Sequence, residues 1–369
     1  MQVFDRGEQR MKKISIRIQY WLIVLIKRLF LGRSQMTEQE AQKKFQIILK
    51  QLRAIFYNIL IGRKGTYCHY LWDSAFVDQY GNVFNCCYSR PFAVGNLNKQ
   101  DMTTIWKKSW RLKLARWLSL NKALYCSFNC DLISLEDKNR QVRPPRATHP
   151  DTVRVLHGEL CNLACVMCWQ NHTDRRIIPN ELLKQQVDWL KVNEIELQGG
   201  EVLAMKPAKE FFLWLTQENH KKVSLISNGI LINDEWAHHI VTGSDWIAIS
   251  VNAATQEIHE RINVRSKFQR VTGNIRRLVT LKNELQTDLK IIYKFTITTE
   301  NIHEIADAIP VAAALGCCKI AYGYDLAVPD YLKQKPELRN RLRQQLAEQI
   351  RANPGIEVEL IRLEYLELV

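Results

Sequence analysis

The sequence offers little that would carry the chain through or out of a membrane. The uninterrupted apolar run near its start, Tyr20 to Ile26, is far shorter than the roughly 20 residues a spanning helix needs. No small-residue cleavage site follows that run, so an exported form is not expected. Nor is there an internal repeat at the roughly 20–50-residue period of solenoids, or a low-complexity tract. No recognisable RNA-binding module is present, which makes nucleic acid the weakest candidate partner. Acid is scarce in one place. Residues 1–65 hold fourteen Lys and Arg but only Asp5, Glu8, Glu38 and Glu40, so ten of the fourteen net positive charges sit there. A basic arm on a balanced body points to an acidic partner surface such as anionic lipid, nucleic acid or an acidic peptide.

What is present fits a cytoplasmic α/β protein. The 369 residues are 46% hydrophobic and 24% charged, enough for one large domain plus a smaller unit. Within residues 1–65, the apolar stretch at 14–31 reads either as a helix packed on the protein body or as one lying in a membrane interface. A peripheral place at the inner face of the membrane goes with the second reading. A further helix is expected from Thr37, in a capping-box pattern with Glu40, to about Ile61.

Ten cysteines fall in clusters: Cys68, Cys86, Cys87, Cys126, Cys130, Cys161, Cys165, Cys168, Cys317 and Cys318. Without an export signal, such spacing argues for metal binding rather than disulfides. Residues 66–130 form an expected auxiliary unit. A strand from Tyr70 to Asp78 leads to a hairpin turn at Gln79–Asn82 and returns through Val83 to Cys87. A turn follows at Gly95-Asn96, then a helix from about Met102 to Ser119. Cys68, Cys86, Cys126 and Cys130 make a complete set of four ligands, for an iron–sulfur cluster or for zinc. Residues 131–150, charged and proline-bearing, read as a linker.

From 151 to 325 strands alternate with helices, which implies parallel strands with right-handed crossovers. Strands are expected near 152–156, 194–198, 223–227, 246–251, 289–297 and 317–322. The helices between them fall near 180–192, 207–219, 233–241, 254–262, 268–285 and 301–315. Six such strands suit a partial (β/α)6 barrel or a doubly wound sheet. A helix near 331–352 and a strand-like tail, Ile356 to Leu363, complete a C-terminal part from 326 to 369.

In such folds chemistry gathers at the carboxyl ends of the strands. After the first comes Cys161-Asn-Leu-Ala-Cys165-Val-Met-Cys168. Three thiols in a loop this short can hold one face of a cubane cluster and leave one iron open; a zinc loop or three unrelated thiols is the alternative. After the second come Gly199, Gly200 and Glu201, a close-approach backbone beside a carboxylate that can accept from an ammonium group. Ser227 follows the third. Ser250 and Asn252 follow the fourth, and strand alternation places both on one face.

These motifs, over about residues 150–325, resemble the radical S-adenosylmethionine family, whose fold is a partial (β/α) barrel. The resemblance implies that Cys161, Cys165 and Cys168 hold a [4Fe–4S] cluster whose open iron binds the amine and carboxylate of S-adenosylmethionine. It implies that Gly199, Gly200 and Glu201 receive the methionyl amine, and that Ser227, Ser250 and Asn252 meet the ribose and carboxylate. Met167 stands where an aromatic residue usually meets the adenine, and Arg261 lies near a carboxylate-binding position. The 66–130 unit resembles a SPASM/Twitch module with a second, auxiliary [4Fe–4S] cluster, here preceding the barrel rather than following it. The chemistry implied is reductive cleavage to a 5′-deoxyadenosyl radical and hydrogen abstraction from a substrate. A peptide is the first expectation for that substrate and a sugar or nucleotide the second. A flavodoxin- or ferredoxin-like protein would supply the electron. The rival from another class is an iron–sulfur electron-transfer protein at a membrane.

Overall fold

The structure is a computed structural model, and it describes residues 68–86, 93–120, 148–170 and 172–369. The basic segment 1–65, Cys87, Cys126, Cys130 and the 131–150 linker up to residue 147 lie outside the described residues. The chain divides into two compact units. Residues Thr66–Trp117 and Asn129–Val369 form one, and it carries the whole sheet. No described helix is long and apolar enough to cross a membrane.

Six consecutive parallel strands make the body of the sheet: β4 (Thr152–Leu156), β5 (Glu194–Gln198), β6 (Val223–Ser227), β7 (Trp246–Ser250), β8 (Lys290–Ile297) and β9 (Lys319–Tyr324). They lie side by side in chain order. A doubly wound sheet needs a point where that order reverses, and here it never does. Right-handed crossovers that all run one way put every helix on one face, which curls the sheet into an open barrel. The partial (β/α)6 barrel is therefore the observed fold.

The edges differ from the expected layout. β1 (Ser74–Val77) pairs in parallel with β4, and β2 (Asn82–Phe84) and β3 (Gly95–Asn96) continue antiparallel beyond it. The strands of the auxiliary stretch thus extend the barrel's own sheet. On the far side β10 (Glu357–Val358) pairs in parallel with β9.

Several local expectations are corrected. Residues 69–73 are helical, and the strand starts only at Ser74, where Thr152 becomes available as a partner. Arg116 donates to the carbonyls of Leu71 and Trp72, satisfying the end of that short helix. Gly95 and Asn96 form β3 rather than a turn. The expected 102–119 helix breaks at Ser109, whose hydroxyl donates to Val94 O and receives Leu112 N, so Met102–Lys108 and Trp110–Leu120 are separate helices. The 331–352 helix divides ahead of Pro336 into Val328–Lys333 and Pro336–Ala352. The helix expected near 301–315 is a 3-10 turn, Ile302–Glu304, and a helix, Ala308–Ala314. The tail is a strand only at 357–358, then a helix, Ile361–Tyr365. The hairpin turn holds: Gly81 takes φ +75°, and a Cβ there would lie 2.7 Å from the Asn98 amide.

Burial alternates along the strands. In β8 Ile291, Tyr293, Phe295 and Ile297 are buried in one core with Phe211, Ile275 and Leu278 of the helices. A separate small cluster, Phe76, Phe84 and Leu156, lies outside that core. Register places Phe76 beside Arg154 and Leu156 beside Gln198, so this cluster belongs to the concave face of the sheet.

Candidate functional site

The cysteine loop leaves the end of β4 and crosses the mouth of the barrel. Its entry is paired to β5: His157 N donates to Gln198 O, Gly200 N to Gly158 O and Glu201 N to Leu160 O. Its exit is paired to the chain after helix Gln256–Ile262, with Ala164 N donating to Val264 O and Val166 N to Ile262 O. Between these anchors the Asn228 amide, just past β6, lies 3.8 Å from Cys161 Sγ and 2.8 Å from Asn162 Oδ1. Gln170 donates to Gly199 O at 2.8 Å. The cysteine loop is therefore held by the ends of β4, β5 and β6 and by the chain at the end of the Gln256–Ile262 helix.

All three cysteines are free thiols. Burial pushes the Cys165 thiol up to about 12, and the neighbouring Cys161 and Cys168 add to the effect. Cys161 and Cys168 are raised as well, chiefly by burial. Such thiols ionise readily only against a positive partner, which a metal centre supplies. Among the described residues no three His, Cys, Asp or Glu groups converge on a single ion.

The glycine pair has a reason that spacing alone did not give. A Cβ on Gly200 would sit 2.1 Å from Leu160 O and 2.4 Å from Glu159 O. One on Gly199 would meet Gly158 O at 2.7 Å. These glycines let β5 press against the root of the cysteine loop, so their first service is to backbone packing. Glu201 is fully buried and accepts from Ser227 Oγ (2.8 Å), Leu203 N (3.1 Å) and Asn228 N (2.7 Å). Burial raises its pKa, and these three donors work against the rise. Three of about four acceptor positions are filled, leaving one on Oε2.

Other expected contacts are corrected. Ser227 Oγ is spent on Glu201 and on Gly229 N, so it holds the site rather than facing a ligand. Asn252 does not share a strand face with Ser250: it lies past β7 at φ +61°, in the left-handed region. Its amide donates to Asn263 Oδ1 (2.9 Å), and its Oδ1 accepts from Thr296 N (2.7 Å). The Arg261 guanidinium, half exposed, lies 3.9 Å from Glu257 and 3.8 Å from Glu300, so its charge is already opposed. Met167 packs against Ala253, Ile258 and Ile262, an apolar wall beside the end of β7. Sequence reasoning missed His172, whose Nε2 is 3.2 Å from Cys168 Sγ, and Gln170. A histidine four residues past the third cysteine was the only signal available. Cys68 and Cys86 are half-buried.

Residues 155–287 match the radical SAM superfamily, and residues 68–131 match the SPASM iron–sulfur cluster-binding domain. Residues 155–287 are thus a radical SAM domain, preceded by a SPASM stretch. The two matched regions imply a [4Fe–4S] cluster with S-adenosylmethionine and further iron–sulfur chemistry in the SPASM stretch. Curated relatives include a probable GTP 3′,8-cyclase of Methanocaldococcus jannaschii, 23% identical over 51% of this chain and 61% of that one. Another, from Saccharolobus islandicus, is 24% identical over 46% of this chain and 55% of that one. The matched part thus spans little more than half of each relative. Streptococcus suis SuiB bound to its precursor peptide SuiA is similar over 80% of this chain and 73% of that one, at 15% identity and a TM-score of 0.45. The enzyme anSMEcpe with bound AdoMet and a peptide is similar over 56% of this chain and 62% of that one, at 15% identity and a TM-score of 0.40.

Proposed function

We propose that this radical SAM enzyme abstracts a hydrogen atom from a peptide. The observation that carries the radical chemistry is the cysteine loop itself, three free thiols fixed at the barrel mouth by the ends of β4, β5 and β6 and by the chain at the end of the Gln256–Ile262 helix. In this reading Cys161, Cys165 and Cys168 ligate the cluster. The remaining acceptor of Glu201, with the backbone of Gly199 and Gly200, receives the methionyl ammonium. Ser250, whose hydroxyl is free among the described residues, meets the cofactor carboxylate or ribose, and Met167 offers its apolar wall to the adenine. When bound, the cluster and S-adenosylmethionine supply one-electron cleavage of the sulfonium to methionine and a 5′-deoxyadenosyl radical that takes the hydrogen atom. Asn228 and Gln170 fix the loop, and Ser227 and Asn252 fix the strand ends, so the thiols do not have to be reorganised. Cys68, Cys86, Cys126 and Cys130 hold the auxiliary cluster, and a flavodoxin- or ferredoxin-like protein delivers electrons.

The peptide is favoured by the match of residues 68–131 to the SPASM domain, because the resemblance to SPASM/Twitch modules implies a peptide substrate first. A nucleotide is the second reading, favoured by the names of the GTP 3′,8-cyclase relatives. Anaerobically reconstituted protein should hold about eight irons if both clusters are cubanes, and about four with one zinc if the auxiliary site is a zinc site. With dithionite the wild type should release 5′-deoxyadenosine, and Cys161→Ala should release none while keeping the auxiliary metal. A wild type that makes no 5′-deoxyadenosine overturns the radical reading. Membrane contact through residues 1–65 is tested by flotation with anionic liposomes, with and without that segment.

A further inference from the structure

Among the described residues, the concave face of the barrel carries a cation with no ion pair or hydrogen bond. Alternation along β8 sends Tyr293 and Phe295 into the helix-side core and turns Lys294 and Thr296 the other way. Among the described residues no ion pair or hydrogen bond reaches Lys294 Nζ. Its electrostatic neighbours are Glu196, Arg362 and Glu359. Glu196 stands on β5, three strand spacings away, about 14 Å along a flat sheet. The two groups sense each other because the sheet curves and they face across its hollow. Burial lowers the Lys294 pKa, so the ammonium is poorly solvated there.

The charges around it are matched to one another. Arg154 Nε donates to Glu196 at 2.9 Å, Lys319 lies 2.9 Å from Glu357 and 3.7 Å from Glu359, and Arg362 bonds Glu359. Among these described groups four cations face three carboxylates, and Lys294 is the cation without an ion pair. There is also room beside it. A Cβ built on Gly323, the register partner of Thr296, would meet nothing within 4 Å but Thr296 Oγ1 at 3.8 Å. That hydroxyl has no hydrogen-bond partner among the described residues.

Resting on the reading that the barrel admits a peptide, we propose that Lys294 and the Thr296 hydroxyl bind one carboxylate of the substrate, an Asp or Glu side chain or a C terminus. One surplus positive charge balances a monoanion. It leaves a nucleoside triphosphate, with several negative charges, largely uncompensated in a partly desolvated hollow. The site therefore selects between the two substrate classes left open above.

The test reads acylation of Lys294 by acetic anhydride, followed by peptide mass spectrometry, on the reconstituted full-length chain without reductant. The probes are acetyl-Gly-Glu-Gly-amide for a side-chain carboxylate, acetyl-Gly-Gly-Gly for a C terminus, acetyl-Gly-Gln-Gly-amide as neutral control, and inorganic triphosphate. One of the two carboxylate probes should lower Lys294 acylation at least threefold, and the Gln probe should leave it unchanged. In equilibrium dialysis Lys294→Met should weaken that probe at least tenfold, and Lys294→Arg should recover most of the loss. Protection by neither carboxylate, or by triphosphate alone, overturns the assignment. Because no reductant is present, a chain that protects Lys294 but makes no 5′-deoxyadenosine keeps this site and loses the reaction. One that makes 5′-deoxyadenosine without protection loses this site alone.

Discussion

On its helix side β8 presents Ile291, Tyr293, Phe295 and Ile297; on its hollow side it presents Ile292, Lys294 and Thr296. The helix side is closed. Even its polar atoms are paired, with the Tyr293 hydroxyl donating to Ala253 O and the Tyr322 hydroxyl to Ile305 O at 2.6 Å. Among the described residues, the hollow side keeps an ammonium without an ion pair and a hydroxyl without a hydrogen bond. Folding alone accounts for the first arrangement, because a buried polar group must find a partner. It does not account for the second, since an apolar residue at Lys294 would pack at no electrostatic cost. One strand with a period of two thus separates the residues that hold the barrel from those available to a ligand.

The largest effect should come from the closed face. Phe295 is fully buried, its ring 5.8 Å from that of Tyr322. Phe295→Ala should cost about 3–5 kcal/mol in urea denaturation. A loss below about 1 kcal/mol would mean that the helix-side core does not carry the fold.

Next comes acid sensitivity, also on the closed face. His157 follows β4, is fully buried, and has its ring 5.3 Å from Phe211. Burial depresses its pKa to about 4 from an ordinary 6.5. Between those values the unfolded chain binds a proton that the folded chain refuses. Stability is therefore complete above pH 6.5, falls as pH drops, and levels off near pH 4, with a total loss of about 3 kcal/mol. His157→Leu should remove that part of the slope, as read from urea midpoints at pH 7 and pH 4.5. An unchanged slope would show that His157 stays neutral in both states or charged in both.

The architecture was legible in the sequence because β4 to β9 are bounded by abrupt changes from β-branched runs to polar turns. The start of β9 was misjudged by two residues, because Gly316 at φ +79° lets Cys317 N still bond back to Ala312 O before the strand begins. The cysteine loop was legible from spacing, since ligand geometry is local. What its neighbours do was not. Gly200 reads as a ligand-approach glycine, yet its constraint comes from Leu160, forty residues earlier. Asn252 reads as a site residue, yet its amide is spent on Asn263 and Thr296. Lys294 reads as an ordinary polar position in an alternating strand, because only curvature brings Glu196 opposite it.

The smallest effect isolates the comparison most cleanly, because it removes one hydroxyl from each face of the same pair of strands. Tyr322→Phe deletes a buried donor and leaves Ile305 O without it, which should cost about 1 kcal/mol. Thr296→Val deletes a hydroxyl that has no hydrogen-bond partner among the described residues, so its change in stability should stay within about 0.5 kcal/mol. The two should exchange rank in the binding measurement. Thr296→Val should weaken the carboxylate probe severalfold, and Tyr322→Phe, whose hydroxyl lies on the helix side, should leave it as in the wild type. If Thr296→Val costs as much stability as Tyr322→Phe, its hydroxyl is serving the fold. The hollow face would then owe its polarity to internal pairing rather than to a ligand.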